Sequence, residues 1–270
     1  MIKSEKYNRL LAYLKELGSV VIAYSGGVDS TFLLRACKDA LGDKAMALTV
    51  VSPYIPKWEI EEAKELIKDI EVNHEFLQVP VILEEIKFNP TDRCYLCKKA
   101  IFTKILAEAK KQGFNYVLDG TNADDIKDYR PGLRALKELE VKSPLLECGL
   151  TKDDIRQLSR ELKLPTWDKP AYACLLSRIP YNEEIKTEEL DKIEKSEKYL
   201  MDLGFRAVRV RYHGELARIE VPKDNIKRFI EDNLLEKVSK ALKGFGFKYV
   251  ALDMEGYRMG SLNEGIDKTN

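Results

Sequence analysis

The chain has 270 residues, 45 Lys+Arg against 45 Asp+Glu for zero formal charge, and 44% hydrophobic residues. That composition excludes the disordered class and is enough for one large domain or two of ordinary size. Zero net charge argues against a broad nucleic-acid footprint. No apolar run approaches the roughly 18 residues of a membrane span, and the first ten residues are too charged for a secretory leader. Five widely spaced cysteines do not make a disulfide framework. The expectation is a soluble cytoplasmic enzyme.

Leu10, Leu11, Leu14 and Leu17 stand at helical spacing and predict an opening helix over 7–17. A short β-branched run predicts a buried strand over 19–24, followed by Ser25-Gly26-Gly27-Val28-Asp29-Ser30 and a helix over 31–38. Further strands are predicted over 45–51, 74–79 and 116–119, with helices over 57–69 and 94–111 between them. Strands alternating with helices predict βαβ units, hence an α/β domain with a parallel sheet covered on both faces, at residues 1–180. After about Pro180 the alternation changes. A charged helix over 187–203, strands over 206–211 and 216–221 about a turn at 212–215, helical stretches over 223–243 and a strand over 247–252 predict a smaller α+β domain at 181–270.

The glycine loop sits between a buried strand and a helix, at the edge where open α/β sheets bind ligands. Gly26 and Gly27 allow a sharp turn and close approach of backbone N–H groups to an anion. The helix N-terminus and the Ser25, Ser30 and Thr31 hydroxyls add donors. The chemistry is phosphate or pyrophosphate binding, although a capped strand-to-helix turn uses the same residue types. Neither a Walker A loop nor a G-x-G-x-x-G fingerprint is present. Asp119-Gly120-Thr121-Asn122-Ala123-Asp124-Asp125 follows the last strand of the first domain, and its carboxylates suit Mg²⁺ held through water and phosphate oxygens.

The string S-G-G-V-D-S resembles the PP-loop of the ATP pyrophosphatase superfamily (adenine nucleotide alpha-hydrolase-like). Its members split ATP between the α and β phosphates and adenylate a substrate. The resemblance implies ATP binding at Ser25–Ser30, with Val28 and a catalytic Asp29, and at Asp119–Asp125, where that superfamily often carries a similar D-G-T/H-N-x-D-D element.

Cys94 and Cys97 open a predicted helix at i and i+3, on one face, and the helix N-terminus with Arg93, Lys98 and Lys99 favours thiolates. By itself C-x-x-C is open between a redox dithiol, a zinc site and an iron–sulfur site. Zinc wants four protein ligands, and His74 and His213 are the two histidines. If Cys174 converges on the pair, three thiolates would leave a 4Fe-4S cluster with one iron open, against the four cysteines that usually hold one. Cys37 reads as core, and Cys148 has no assigned role.

D-R-C-Y-L-C-K and A-C-L-L-S-R-I-P-Y, with the PP-loop, resemble the LarE family of ATP-dependent sulfur transferases over nearly the whole chain. The resemblance implies adenylation of a carboxylate on a pyridinium-3,5-biscarboxylic acid mononucleotide and its conversion to a thiocarboxylate, for a nickel-pincer cofactor. One version of the family sacrifices the sulfur of a cysteine at the Cys174 position. The other adds two cysteines and carries sulfur on a 4Fe-4S cluster, and Cys94, Cys97 and Cys174 match it. The resemblance also implies Arg209 and Arg211, alternating on one strand face, as substrate-phosphate ligands. Glu220 matches a carboxylate of the family's divalent-ion site, and Glu197 an acidic position. Its partners would be the mononucleotide, sulfide or another sulfur donor, and further copies of the chain. The rivals are a 4Fe-4S-dependent tRNA thiolase, favoured by basic residues at 206–218, an amide-forming PP-loop ligase, and a nucleotide-binding regulatory module.

Overall fold

The computed structural model describes residues 4–127, 131–170, 172–258 and 262. The chain divides into two compact units, one of Met1–Ile86 and Thr91–Tyr172, the other of Lys87–Pro90 and Ala173–Asn270.

The first unit opens with α1 (Glu5–Leu17), capped by Ser4, whose hydroxyl accepts the Tyr7 N–H at 3.3 Å. Tyr7, Leu10, Leu14 and Leu17 form its buried stripe. The chain then alternates through β1 (Val20–Ala23), α2 (Val28–Leu41), β2 (Ala45–Val51), α3 (Lys57–Lys68), β3 (Asn73–Gln78), α4 (Arg93–Lys111) and β4 (Tyr116–Leu118). The four strands make an all-parallel sheet in the order β3-β2-β1-β4. Alternation along the strands divides the core between the two faces. Val20, Ile22, Ala45, Ala47 and Leu118 pack with Leu10, Leu14 and Phe32, while Val21, Met46, Leu48 and Val117 pack with Phe102 and Ile105 of α4. Each Val, Leu, Ile, Met or Phe side chain among them, fully buried, contributes about 1.5–3 kcal/mol.

Three helices in the stretch after β4, where no element is predicted from the sequence, complete this unit: α5 (Gly132–Glu138), α6 (Pro144–Glu147) and α7 (Lys152–Glu161). A reciprocal capping box between Thr151 and Asp154 starts α7. Strand order places the ligand edge. From β1 the chain steps to β2 and β3 on one side, then returns to place β4 on the other. The loops leaving β1 and β4 therefore flank the topological switch point, where open α/β sheets bind ligands.

The second unit begins with a 3-10 turn, Leu175–Arg178, followed by α8 (Thr187–Asp202), β5 (Arg209–His213), β6 (Leu216–Glu220), α9 (Lys223–Ile226), α10 (Arg228–Glu231), α11 (Leu234–Gly244) and β7 (Tyr249–Leu252). β5 and β6 pair antiparallel about a two-residue turn, and β7 adds parallel to β6. The hairpin starts three residues later than its alternation suggests, and the helical stretches expected over 223–243 resolve into α9, α10 and α11, with Asn233 at φ +53° before α11. Its core includes Leu200, Phe205, Val210, Ile219, Phe229 and Leu242. Among the described residues no helix is long and apolar enough to cross a membrane.

Candidate active site

The glycine loop leaves β1 as expected. Gly26 has φ +69°, and a Cβ there would lie 2.9 Å from the Ala63 Cβ on α3, so both conformation and space call for glycine. Ser25 and Ser30 hydroxyls are 3.1 Å apart, the Ser25 N–H donates to Ser30 Oγ at 3.3 Å, and the Ser30 hydroxyl donates to the Gly27 carbonyl at 3.3 Å. These bonds close the loop on itself at the head of α2, where backbone N–H groups are free of helical partners.

The loop after β4 lies against it. A Cβ on Gly120 would meet Ser30 N at 3.2 Å and Asp29 Cβ at 3.3 Å, so the two loops touch through that glycine. Asn122 Nδ2 donates to Asp29 Oδ1 at 3.3 Å. Asp119 accepts from Thr121 Oγ1 and Ser143 Oγ, each at 2.6 Å, and pairs with Lys98 at 3.5 Å. Asp125 accepts the Asn122 N–H at 3.0 Å. Asp119 and Asp125 thus shape the loop from within, and both are buried.

Asp29 and Asp124 have a shared partner that sequence reasoning missed. Lys152, the first residue of α7, donates its ammonium to Asp29 Oδ2 and its backbone N–H to Asp124 Oδ2 at 2.8 Å. The Lys127 ammonium and then this N–H hold the Asp124 carboxyl below the usual carboxylate range. A second missed lysine, Lys169, donates to the Gly26 carbonyl at 3.0 Å and pairs with Glu62 at 2.9 Å. Arg156 of α7 holds its segment through the carbonyls of Trp167 and Lys169. The Thr151–Asp154 capping box was the available signal that a helix begins at Lys152.

Cys94 and Cys97 open α4 as predicted. Cys94 is exposed, and the half-buried Cys97 thiol lies 3.8 Å from the Tyr54 hydroxyl. Cys37 and Cys148 are buried, and burial pushes both thiols up. Cys174 belongs to the second unit and heads its 3-10 turn. Three donors meet at its carbonyl: the Ser177 N–H at 3.1 Å, the Ser177 hydroxyl at 3.0 Å and Arg178 Nη1 at 3.0 Å. Arg178 also reaches the Ala173 carbonyl at 2.6 Å and forks onto Glu197 at 2.9 and 2.8 Å. Glu197 accepts the Val210 N–H at 2.8 Å as well, so the acidic position on α8 ties the cysteine turn to β5.

Arg209 and Arg211 share a face of β5, opposite Glu220 and Arg218 of β6. Arg211 forks onto Glu220 at 2.9 Å through both nitrogens, and Arg218 reaches the same carboxylate at 3.3 Å. Arg209 donates to the Val208 carbonyl and lies 5.2 Å from the Tyr257 ring centroid. Burial, with the charge of Arg178 second, lowers its pKa. Among the described residues no three or more His, Cys, Asp or Glu side chains are grouped to hold a metal ion.

A parallel α/β unit that presents S-G-G-V-D-S at its switch point defines a PP-loop nucleotide-using protein. The NAD synthase family model matches residues 4–106. An uncharacterized protein of Synechocystis is 44% identical over 97% of this chain and 98% of its own length. The pyridinium-3,5-bisthiocarboxylic acid mononucleotide synthase of Lactiplantibacillus plantarum is 37% identical over 96% of this chain and 94% of its own. An uncharacterized protein of Methanocaldococcus jannaschii is 34% identical over 96% and 99%. The chain belongs to the LarE family of PP-loop proteins and is an ATP-using sulfurtransferase.

Proposed function

We propose that this chain converts pyridinium-3,5-biscarboxylic acid mononucleotide to its thiocarboxylate, in nickel-pincer cofactor biosynthesis. The observation that carries the reading is the pair of loops at the switch point, held together by Asn122 and Lys152 around Asp29. Support for the substrate comes from the synthase of L. plantarum, whose product is the bisthiocarboxylic acid mononucleotide.

ATP binds with its phosphates on the Ser25–Ser30 amides and Mg²⁺ near Asp29 and the 119–125 loop. The donor chemistry fits, since hard carboxylate oxygens suit Mg²⁺. A substrate carboxylate attacks the α phosphate and pyrophosphate leaves from the glycine loop. Loop amides and lysines stabilise the charge that develops, which is the main lever in phosphoryl transfer. Arg209 and Arg211 hold the substrate phosphate, a task suited to guanidinium forks. Glu220 orients Arg211 and is the candidate ligand for a divalent ion.

Soft thiolates suit an iron–sulfur cluster, and the three cysteines outside the core are Cys94, Cys97 and Cys174. These three would hold a 4Fe-4S cluster. It would supply an iron with no protein ligand, able to carry the sulfur that replaces the adenylated oxygen. Arg178 and Ser177 fix the backbone of Cys174 whichever way sulfur is delivered. The protein works in the cytoplasm as a homo-oligomer.

Anaerobic purification with iron and acid-labile sulfide counted per chain tests the cluster. About four of each is expected, lost in Cys94→Ala, Cys97→Ala or Cys174→Ala. Zinc, or no metal after reconstitution, would sink the cluster. Thiocarboxylate formed stoichiometrically by a metal-free chain that loses the Cys174 sulfur would instead establish the sacrificial route. Mass spectrometry of the mononucleotide after incubation with ATP and sulfide tests the substrate.

A further inference from the structure

The loop leaving β2 carries Tyr54, one of the larger side chains sealed in the first unit, 2% exposed. Its hydroxyl lies 3.8 Å from the Cys97 Sγ. The first turns of α4 bring that sulfur to the ligand edge of the sheet, since the next residue, Lys98, pairs with Asp119 at the exit of β4. β2 and β4 run parallel and end at that same edge, so the phenol and the thiol meet there.

The two thiols of the C-x-x-C pair are not equivalent. Cys94 is exposed, whereas Cys97 is half-buried and has a phenol beside it. A buried Tyr hydroxyl takes a hydrogen-bond partner, and a low local dielectric strengthens the bond. The direction of that bond depends on what the sulfur holds. As a thiol, Cys97 donates to the phenol oxygen. A cysteine that ligates iron has released its proton to solvent. Between these two atoms the remaining hydrogen is then the phenol's, and the sulfur becomes the acceptor.

We propose that Tyr54 is a positioning residue of the sulfur-transfer site, its hydroxyl donating to the Cys97 sulfur when that sulfur ligates a cluster iron. The assignment rests on the cluster reading of Cys94, Cys97 and Cys174. No covalent bond changes between the two side chains, and no electron passes between them. The phenol, fixed by its burial, orients the Cys97 sulfur as an outer-shell partner orients a metal ligand. It also draws electron density from that sulfur. A hydrogen bond to a ligand sulfur favours the reduced, more negative cluster and so raises its potential.

Tyr54→Phe keeps the buried ring and removes the hydroxyl alone. Tyr7 supplies the control, a buried tyrosine on α1 whose hydroxyl donates to Asp39 at 2.7 Å. Full-length wild type, Tyr54→Phe and Tyr7→Phe are reconstituted anaerobically, their iron is counted, and the midpoint potential is read by spectroelectrochemical titration. Tyr54→Phe should keep about four irons per chain. Its one-electron equilibrium should move at least tenfold toward the oxidised form, about 59 mV lower in potential. Tyr7→Phe should stay within twofold of wild type. Should Tyr54→Phe fail to fold, the wild-type sequence grown on 3-fluorotyrosine keeps the test, because a more acidic phenol is a stronger donor and should raise the potential. A folded Tyr54→Phe within twofold of wild type would overturn the assignment, as would a potential unmoved by fluorotyrosine. An equal fall in Tyr7→Phe would make the shift a general effect of losing a buried hydroxyl and overturn it too. A wild-type chain that takes up no iron would overturn the cluster reading itself, and this assignment with it.

Discussion

His74 shows how a single ring connects the sheet interior to the glycine loop. Its Nε2 lies 2.8 Å from Thr49 Oγ1, and the Thr49 hydroxyl donates to the Tyr24 carbonyl at 2.9 Å. With that hydroxyl hydrogen used, Nε2 carries the proton of the neutral ring. Burial, and second the charge of Lys64, push the His74 pKa down from 6.5 to about 4. The unfolded chain therefore binds more protons between those values. Stability from this group is complete above pH 6.5, falls as pH drops toward about 4, and changes no further below that. Urea midpoints of wild type and His74→Gln, compared from pH 7 to 4, should diverge in that window, with the wild type falling more steeply. Parallel curves would remove His74 as the cause. Gly26 makes a second case at this scale. Gly26→Ala requires a strained positive φ and displacement of Ala63, so ATP binding should weaken at least tenfold, roughly 1.4 kcal/mol, as read by calorimetry. Affinity unchanged within twofold would show that the loop tolerates a side chain.

The cysteine turn, α8 and β5 form one unit of hydrogen bonding, and its centre is the Arg178–Glu197 pair, 2% and 4% exposed. Breaking a buried pair from one side leaves an unmatched charge and costs about 3–5 kcal/mol. Glu197→Ala should lose that much by urea denaturation, whereas Arg178→Met with Glu197→Leu together should lose far less. Additive losses would show that the two side chains act independently. This arrangement was only partly legible in the sequence. The βαβ alternation, the glycine loop, the 119–125 loop and the C-x-x-C helix are local patterns, and each appears where its spacing predicts. Lys152 and Arg178 are not legible in that way. Lys152 acts through Asp29, far back in the chain, and Arg178 through Glu197 on the following helix, and a lysine in Thr151-Lys-Asp-Asp154 reads as an ordinary helix surface. Helices α5 and α6 are short and are started by Pro131 and Pro144, too short for apolar periodicity to show, whereas α7 carries a capping box and a buried Ile155–Leu158 face that are legible in the sequence although no element is predicted there. The stretch 223–243 breaks at Asn233, a residue type that tolerates the left-handed conformation.

At the scale of the whole molecule the residues proposed for nucleotide and for substrate phosphate fall in different units. Ser25–Ser30, the 119–125 loop and Lys152 lie in the first, while Cys174, Arg178, Arg209, Arg211 and Glu220 lie in the second. Each unit has its own core, so each ligand should depend on its own unit. Asp29→Asn should abolish pyrophosphate release and leave the affinity for pyridinium-3,5-biscarboxylic acid mononucleotide within twofold. Arg209→Gln removes a buried guanidinium that donates to the Val208 carbonyl and lies near the Tyr257 ring, where Arg211 forks onto a carboxylate. It should weaken the mononucleotide at least tenfold, roughly 1.4 kcal/mol, and spare α,β-methylene-ATP. Calorimetric titration of both ligands against both variants gives four affinities. Loss on the diagonal alone supports separate sites for nucleotide and substrate phosphate. Loss of both ligands in either variant would mean that the two share groups across the division, and the assignment of Arg209 to the substrate phosphate would fail.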